Sequence, residues 1–348
     1  MSIEVNIEKK YKGFNLSISF EGRGESLGLL GASGCGKSLT LSCIAGIVTP
    51  DRGRIVLNDR VLFDSVRDIN LPPRQRRIGM LFQNYALFPH MTVRENIGIG
   101  YRSRQGKGEL IDRLLSLFHL EALQDKYPGQ LSGGEQQRTA MARMLAYEPE
   151  ALLLDEPFSA LDSYLKEELQ QELAGILRNY KGQVLMVSHS TEELYRFCDT
   201  IAVLDGGRLL EYGSSAGVFG QPTHHKTALL TGCRNISRAV RISDYEVEAL
   251  DWKLCLQTDQ PVTEEIRYVG IRPEALRSCR EAGPNRVSVS FSHFIAGPQD
   301  ICLVFRCNPP VDDKDFLYWT ISSREWREGG QELPPYLLFP KEQIMLMK

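Results

Sequence analysis

The 348-residue sequence contains no apolar run approaching the ~20 residues needed to span a bilayer. Any work at a membrane is therefore expected to run through a partner. The first residues, MSIEVNIEKKYKG, alternate as a strand does and lack the apolar core of a secretory signal. The eight cysteines (Cys35, Cys43, Cys198, Cys233, Cys255, Cys279, Cys302, Cys307) form no CxxC pair. Zinc binding and a disulfide framework are thus not expected, and the thiols read as reduced cytosolic side chains used as small hydrophobes. There is no basic block either: 41 Lys and Arg face 44 Asp and Glu along the chain, for a net charge of −3. That balance gives no reason to expect a nucleic-acid partner. Low-complexity tracts and short repeats are also missing. What remains is an ordinary globular composition, 42% hydrophobic and 24% charged, with room for two domains on the usual scale of roughly 100–200 residues each.

Residues 1–20 read as strands, with Phe14, Leu16, Ile18 and Phe20 alternating. A short apolar strand, Leu27–Leu30, runs into a glycine-rich loop, and Leu39–Ile47 is helix-compatible up to Pro50. Gly53–Asn58 reads as a further strand, and residues 94–147 are mostly helical in character. Ala151–Leu154 and Val184–Val187 are continuously apolar, as strands buried on both faces of a parallel sheet should be. Between them, 164–180 is a polar-faced helical stretch. This alternation predicts an α/β fold over residues 1–231, with a helical subdomain at about 85–148. After about residue 230, short alternating stretches punctuated by Pro and Gly take over, including 246–250, 286–292, 301–306 and 317–321. They predict a smaller all-β domain over 232–348, in the form of a small barrel or sandwich.

The glycine loop Gly31-Ala-Ser-Gly-Cys-Gly-Lys37-Ser38 fits G-x-x-x-x-G-K-[ST] between a strand and a helix. Its glycines let the backbone turn so that successive N–H groups face one phosphate, and the helix behind adds its positive end. Lys37 is expected to reach the β- and γ-phosphates of ATP, and the Ser38 hydroxyl to ligate Mg2+. Gly31, Ser33, Gly34, Cys35, Gly36 and Leu39 complete the cradle. Taken alone the loop says only "nucleotide phosphate", and kinases or GTPases fit it equally. Ala151-Leu-Leu-Leu-Asp155-Glu156 ends a buried strand in two carboxylates, at the edge where open α/β sheets bind ligands. Asp155 can serve the Mg2+ shell, and Glu156 can act as general base on the attacking water. In Leu131-Ser-Gly-Gly-Glu-Gln-Gln-Arg138, Ser132, Gly133 and Gly134 precede another helix and form a second phosphate-facing cradle. A plain N-capped helix would also account for that spacing. If the cradle does serve a phosphate, the economical geometry is two chains head to tail, each completing the other's site.

Gly31–Ser38, Gln83, Leu131–Arg138, Asp155-Glu156, Ser159–Asp162 and His189 are similar, in this order, to the motifs of the ABC-type ATPase family. They correspond to its phosphate loop, Q-loop, signature, magnesium-binding acid with catalytic glutamate, D-loop and switch histidine, and they cover roughly the first two-thirds of the chain. The resemblance implies a P-loop, RecA-like core and a homodimer sandwiching two ATP molecules. In that dimer Ser132, Gly133, Gly134 and Gln136 would act in trans. It further implies that His189 contacts the γ-phosphate and that Gln83 senses Mg2+ and water. Asp162 would couple the two sites. An aromatic residue usually stacks on adenine in this family, and Tyr11 is the candidate here.

The segment Asn84–Asn96, with Tyr85, Leu87, Phe88, Met91 and Val93, resembles the import-type surface on which a membrane subunit docks, although on its own it could equally be core. Two integral membrane permease subunits near Gln83–Asn96, an extracytoplasmic solute-binding protein acting indirectly, and a peripheral position at the cytoplasmic face of the membrane are what this implies. Val269-Gly-Ile-Arg-Pro-Glu274 resembles a motif of the C-terminal (OB-like or TOBE-like) domain of such importers. Gly13–Leu16, Gly46–Asn58, Arg60–Asp64 and Leu71–Arg77 look most like molybdate or tungstate importer ATPases. Importers of sulfate, iron(III), polyamines or sugars are the alternatives. A soluble ABC ATPase of DNA repair or translation should show paired cassettes, coiled-coil insertions or basic linkers, and none is visible. Cys233–Arg238 only echoes the segment that introduces an oxyanion-binding module in some members.

Overall fold

A computed structural model describes residues 1–82, 84–101, 106–159, 163–308, 316–328 and 332–348, with the side chains of 163–165 left aside. Two compact units divide the chain, Met1–Ala216 and Gly217–Lys348. Gln83 and Asp162, both expected site residues, lie outside the described residues.

The first unit opens with the hairpin β1 (Ser2–Tyr11) and β2 (Phe14–Arg23), followed by β3 (Ser26–Gly31) and helix α1 (Lys37–Ala45). Strands β4 (Arg52–Leu57), β5 (Arg60–Asp64) and β6 (Ile69–Asn70) come next. A one-turn helix, α2 (Pro73–Arg76), leads into β7 (Ile78–Leu81). Helices α3 (Val93–Ile99), α4 (Lys107–Leu117) and α5 (Gly133–Ala146) form the helical portion. Strand β8 (Ala151–Asp155), helix α6 (Ser163–Asn179), strand β9 (Gln183–Val187) and helix α7 (Thr191–Phe197) follow. The hairpin β10 (Thr200–Asp205) and β11 (Arg208–Ser214) closes the unit.

All eleven strands join one sheet in the order β6-β5-β4-β1-β2-β11-β10-β3-β9-β8-β7. β3 runs parallel to β9 and β10, and β8 parallel to β9 and β7. Every residue of β8 and β9 is buried, which explains the unbroken apolar runs in the sequence. β1 and β2, in contrast, alternate, with Ile3, Val5 and Ile7 facing the core beside Leu16, Ile18 and Phe20. The register sets Leu29 opposite Val187 and Val187 opposite Asp155. Three strand ends therefore meet at one edge, and each continues into a segment expected to carry chemistry.

Helix α1 lies within the core rather than on it, with Lys37, Thr40, Leu41, Cys43, Ile44 and Ala45 buried. Its carbonyl end is held by Arg76, which is 0% exposed. Arg76 donates to the carbonyls of Cys43 and Ile44, both at 2.8 Å, to Leu71 O at 2.8 Å and to Asn70 Oδ1 at 2.9 Å. Burial without a carboxylate partner pushes its pKa down to about 10. A cation at the carbonyl end of α1 suits the helix dipole, whose positive end lies at the glycine loop.

The second unit begins with short helices, then is built mainly of strands from Asn235 onward, with one six-residue helix at Ser323–Glu328. Its strands form two five-stranded antiparallel sheets of TOBE-like kind. One runs 254–257, 246–249, 235–243, 268–271 and 345–347, and the other 277–279, 336–338, 286–296, 300–307 and 316–322. Trp252, Val269, Ile271, Phe305 and Phe339 belong to its core. Inside this unit Arg272 of the Val269–Glu274 motif donates to Thr231 O at 2.9 Å, Thr231 Oγ1 at 3.1 Å and Phe219 O. The compact boundary at Ala216 thus falls before residue 231, because the two short helices Ser215–Gly220 and His225–Leu230 are largely built into the second unit.

Candidate nucleotide site

β3 delivers the loop at Gly31, and α1 begins at Lys37. Gly36 caps α1 with φ +109°, and a Cβ there would stand 2.6 Å from Leu16 Cδ1. A Cβ on Gly31 would come within 2.4 Å of the Leu204 carbonyl oxygen. Larger residues fit at neither position. No side chain caps the start of α1, so its first N–H groups are left for a ligand. Lys37, 5% exposed, turns its ammonium onto the carbonyls of Gly31 at 2.7 Å and Ala32 at 3.0 Å. Cys35 is buried under the loop with Sγ 3.9 Å from Lys37 Nζ. Burial pushes its thiol pKa up, against the pull of Lys37. Ser33, Gly34 and Ser38 are exposed, while Leu39 packs partly into the core.

Ser38 Oγ donates to Asp155 Oδ1 at 3.0 Å across 117 residues of sequence. Asp155 is 9% exposed, and its carboxyl pKa is raised, first by burial and then by the neighbouring Glu156. The Ser38 hydroxyl, Lys37 and His189 act in the opposite direction. A buried carboxylate beside a hydroxyl, short of full charge compensation, is a donor set that fits a magnesium ion. Glu156 adopts φ +49°, uncommon for a residue with a side chain, and its amide donates to Val187 O at 2.9 Å. The turn sends the carboxylate to His189, whose Nε2 lies 2.5 Å from Glu156 Oε1. The loop, the two acids and the histidine are thus brought together at one sheet edge.

The signature segment is placed differently. Ser132 and Gly133 are exposed, and Gly134 is buried. Ser132 Oγ accepts from the Glu135 amide at 3.4 Å, while Glu135 Oε2 accepts from the Ser132 amide at 2.7 Å and hydroxyl at 2.9 Å. Glu135 is accordingly held below the usual carboxylate range, chiefly by the Ser132 N–H. Gln136 turns away to donate to the carbonyls of Pro128 at 3.1 Å and Leu131 at 3.2 Å. Among the described residues, no hydrogen bond ties Ser132, Gly133 or Gly134 to the glycine loop of the same chain.

Tyr11 sits exposed at the end of β1, with Lys9 Nζ 5.6 Å from its ring centre. The aromatic ring against the loop is Phe14, 3.2 Å from where a Gly36 Cβ would be. Sequence reading did not single it out, because its place in the β2 alternation marked it as core. Two further residues were missed. Gln137, 0% exposed, accepts from the Tyr85 hydroxyl at 3.3 Å and donates to Pro157 O, so it links the Asn84–Asn96 segment to the backbone next to Glu156. Arg143 donates to the carbonyls of Tyr85 at 2.8 Å and Ala86 at 2.7 Å. Both of those residues have positive φ, +58° and +46°. Asn96 pins the same segment, bonding Phe88 through its N–H and C=O at 2.9 and 3.1 Å. Beside it a groove of about 600 Å³ is lined by His90, Met91, Arg94, Glu95, Ile99 and Ile111. Among the described residues no helix is long and apolar enough to cross a membrane.

Residues 12–159 match the family model described as ABC transporter. An Fe(3+) ions import ATP-binding protein of Haemophilus influenzae is 41% identical over 222 residues, which are 63% of this chain and 62% of that protein. A spermidine/putrescine import ATP-binding protein of Clostridium acetobutylicum is 38% identical over 284 residues, 78% of each chain. A molybdenum import ATP-binding protein of Paramagnetospirillum magneticum is 37% identical over 222 residues, 63% of this chain and 61% of that one. Among solved structures, the dimeric bacterial ABC transporter cassette MJ0796 superposes with a TM-score of 0.54 at 29% identity, covering 62% of this chain and 99% of that one. The chain belongs to the ABC transporter family. The chain spans about 62% of the length of the Haemophilus influenzae relative, and its curated relatives are ATP-binding proteins of iron, polyamine and molybdenum import.

Proposed function

We propose that this chain is the ATP-hydrolysing motor of an ABC importer, acting as a head-to-tail homodimer on two membrane permease subunits at the cytoplasmic face of the membrane. What supports this above all is one sheet edge where Ser38 stands 3.0 Å from Asp155 and His189 2.5 Å from Glu156, beside the uncapped start of α1. The loop N–H groups and Lys37 bind the β- and γ-phosphates, with Gly31, Ser33, Gly34, Cys35, Gly36 and Leu39 shaping the cradle. Ser38 and Asp155, with Gln83, hold Mg2+, which when bound neutralises phosphate charge. Glu156 accepts a proton from the attacking water, and His189 holds that carboxylate in place. Ser132 and Gly134 of a second copy close over the γ-phosphate, and Asp162 serves to couple the two sites. Tyr11, or Phe14 beside it, covers the adenine. The groove beside Phe88 receives a short helix of the permease, its mixed apolar and charged lining suiting an amphipathic partner.

For the solute we favour molybdate or tungstate, on the resemblance carried by Gly46–Asn58 and Leu71–Arg77. A polyamine is the second reading. It is favoured by the 284 residues aligned with the Clostridium acetobutylicum relative, more than the first unit contains, so the likeness extends into the second unit. Uptake of labelled molybdate and of labelled putrescine in cells lacking this chain separates the two. Loss of neither would refute both. For the motor itself, Glu156→Gln should keep ATP bound, accumulate as a closed dimer in size-exclusion light scattering, and lose roughly 10²–10⁴-fold in turnover. Wild-type turnover in that variant would remove Glu156 from its role.

A further inference from the structure

The segment that carries His189 is held by a carboxylate that belongs to none of the nucleotide motifs. Glu193, in the first turn of α7, is 4% exposed. A Glu three residues after an N-cap serine ordinarily folds back onto the cap's own amide. At α7 only half of that arrangement exists: Ser190 Oγ accepts from the Glu193 amide at 3.3 Å, and the Glu193 carboxylate goes elsewhere. One of its oxygens accepts from the Ser188 hydroxyl, and the other lies 2.6 Å from Lys166 Nζ. Ser188, itself 3% exposed, also accepts from the Ser190 amide at 2.9 Å.

These bonds enclose His189. Both of its chain neighbours, Ser188 and Ser190, are fastened to Glu193, so the backbone on either side of the histidine is fixed. The imidazole needs that support, because its side chain is 52% exposed and packing does not orient it. Even so, its Nε2 reaches Glu156 Oε1 at 2.5 Å. Lys166 adds a second connection. It lies in the first turn of α6, the helix that follows residues 160–162. A buried carboxylate with a hydroxyl on one oxygen and an ammonium on the other is a stable arrangement only while both partners stay in place.

We propose that Glu193 is a positioning residue for hydrolysis. Through Ser188 it holds His189 against Glu156, and through Lys166 it ties that geometry to the start of α6. This rests on the proposed roles of Glu156 and His189 in turnover. Small displacements of a reacting constellation are expensive, so the effect should appear in kcat and not in nucleotide binding.

The test compares Glu193→Ala, Ser188→Ala and Glu193→Gln in the full chain, with kcat, KM for MgATP, ATP affinity and melting temperature measured for each. Glu193→Ala and Ser188→Ala should each lower kcat roughly 10- to 100-fold with ATP affinity within about twofold of wild type. Glu193→Gln keeps an acceptor for the Ser188 hydroxyl and should recover most of the lost turnover. In a His189→Ala background, Glu193→Ala should have little further effect, because the group it positions is gone. Wild-type kcat in both alanine variants would overturn the proposal. So would a parallel fall of kcat and affinity, or full additivity with His189→Ala. Should Glu193→Ala fail to fold, Ser188→Ala alone and with His189→Ala decides the matter. Full turnover in His189→Ala would instead refute the catalytic reading beneath it, whereas a slow His189→Ala beside a fast Glu193→Ala would refute this inference only.

Discussion

Two stretches of the first unit lead into a helix through glycines, Gly31–Ser38 into α1 and Leu131–Arg138 into α5, whose first two residues are Gly133 and Gly134. In the first, no side chain caps the helix, Lys37 is buried, and Ser38 is bonded to an acid from another strand. In the second, Ser132 and Glu135 cap the helix reciprocally, and the serine and Gly133 face solvent. The same local chemistry has thus been set into two different surroundings. The loop has its acid and its histidine within the chain. The signature has its hydrogen bonds satisfied locally, with Ser132 and Gly133 exposed. That contrast is what a site shared between two copies would require, with each chain supplying one half.

The sharpest way to break the comparison is to remove the charge from the first half. Lys37→Ala should weaken ATP binding by roughly 100-fold or more by calorimetry, since a buried ammonium on a phosphate is a strong charge-assisted contact. Retained affinity would mean that the N–H groups suffice. Next comes the second half. Ser132→Arg should leave ATP affinity of the monomer near wild type and cut steady-state turnover by roughly 10²–10³-fold. Unchanged turnover would show that the two halves never meet.

A smaller effect concerns what the first half costs the fold. Burial raises the Asp155 carboxyl pKa above its ordinary value of about 3.9. The native state therefore holds that proton more tightly than the unfolded chain. This contribution to stability is fully present below the unfolded value and is lost as pH rises through the raised folded value. At neutral pH, Asp155→Asn should melt a few degrees higher than wild type without nucleotide. The same variant should lose the extra stabilisation that Mg2+ adds to ATP. A lower melting point would contradict the burial argument. The smallest effect belongs to the second half. Glu135 has its pKa lowered by the Ser132 N–H, so its contribution is present above the unfolded value of about 4.3 and fades as pH falls through the lowered folded value. Hydrogen-exchange protection factors at the start of α5 should fall over that acidic window while those of β8 hold. Equal behaviour of the two would mean that the capping box is not what orders the signature.

Much of this was legible in one dimension. The unbroken apolar runs of β8 and β9, the alternation of β1 and β2, and the loop between a strand and a helix are local patterns, and each appears at its expected place. The all-β texture after residue 230 is likewise written in short alternating stretches. Other features were not legible. Arg76 stands between Gln75 and Arg77 with no local pattern to mark it as core, yet its guanidinium is wholly buried beneath α1. Glu193 reads as a helix-capping acid, and its carboxylate instead bridges two elements. Phe14 looks like one more inward residue of a strand, and its ring lies against the loop. In each case the deciding partner is far away in sequence, so no local pattern could name it.

The sequence by itself determined the chemistry: a phosphate loop, a pair of acids ending a buried strand, and a glycine-led helix start. Those follow from backbone freedom, strand burial and helix ends, which a few neighbouring residues control. Only the tertiary structure decided which groups face each other. The parallel order β3-β9-β8 sets three strand ends side by side, and burial of their apolar faces fixes that order across more than a hundred residues of chain. From it come the Ser38–Asp155 and His189–Glu156 pairs, the support that Glu193 gives, and the exposed, locally satisfied state of Ser132.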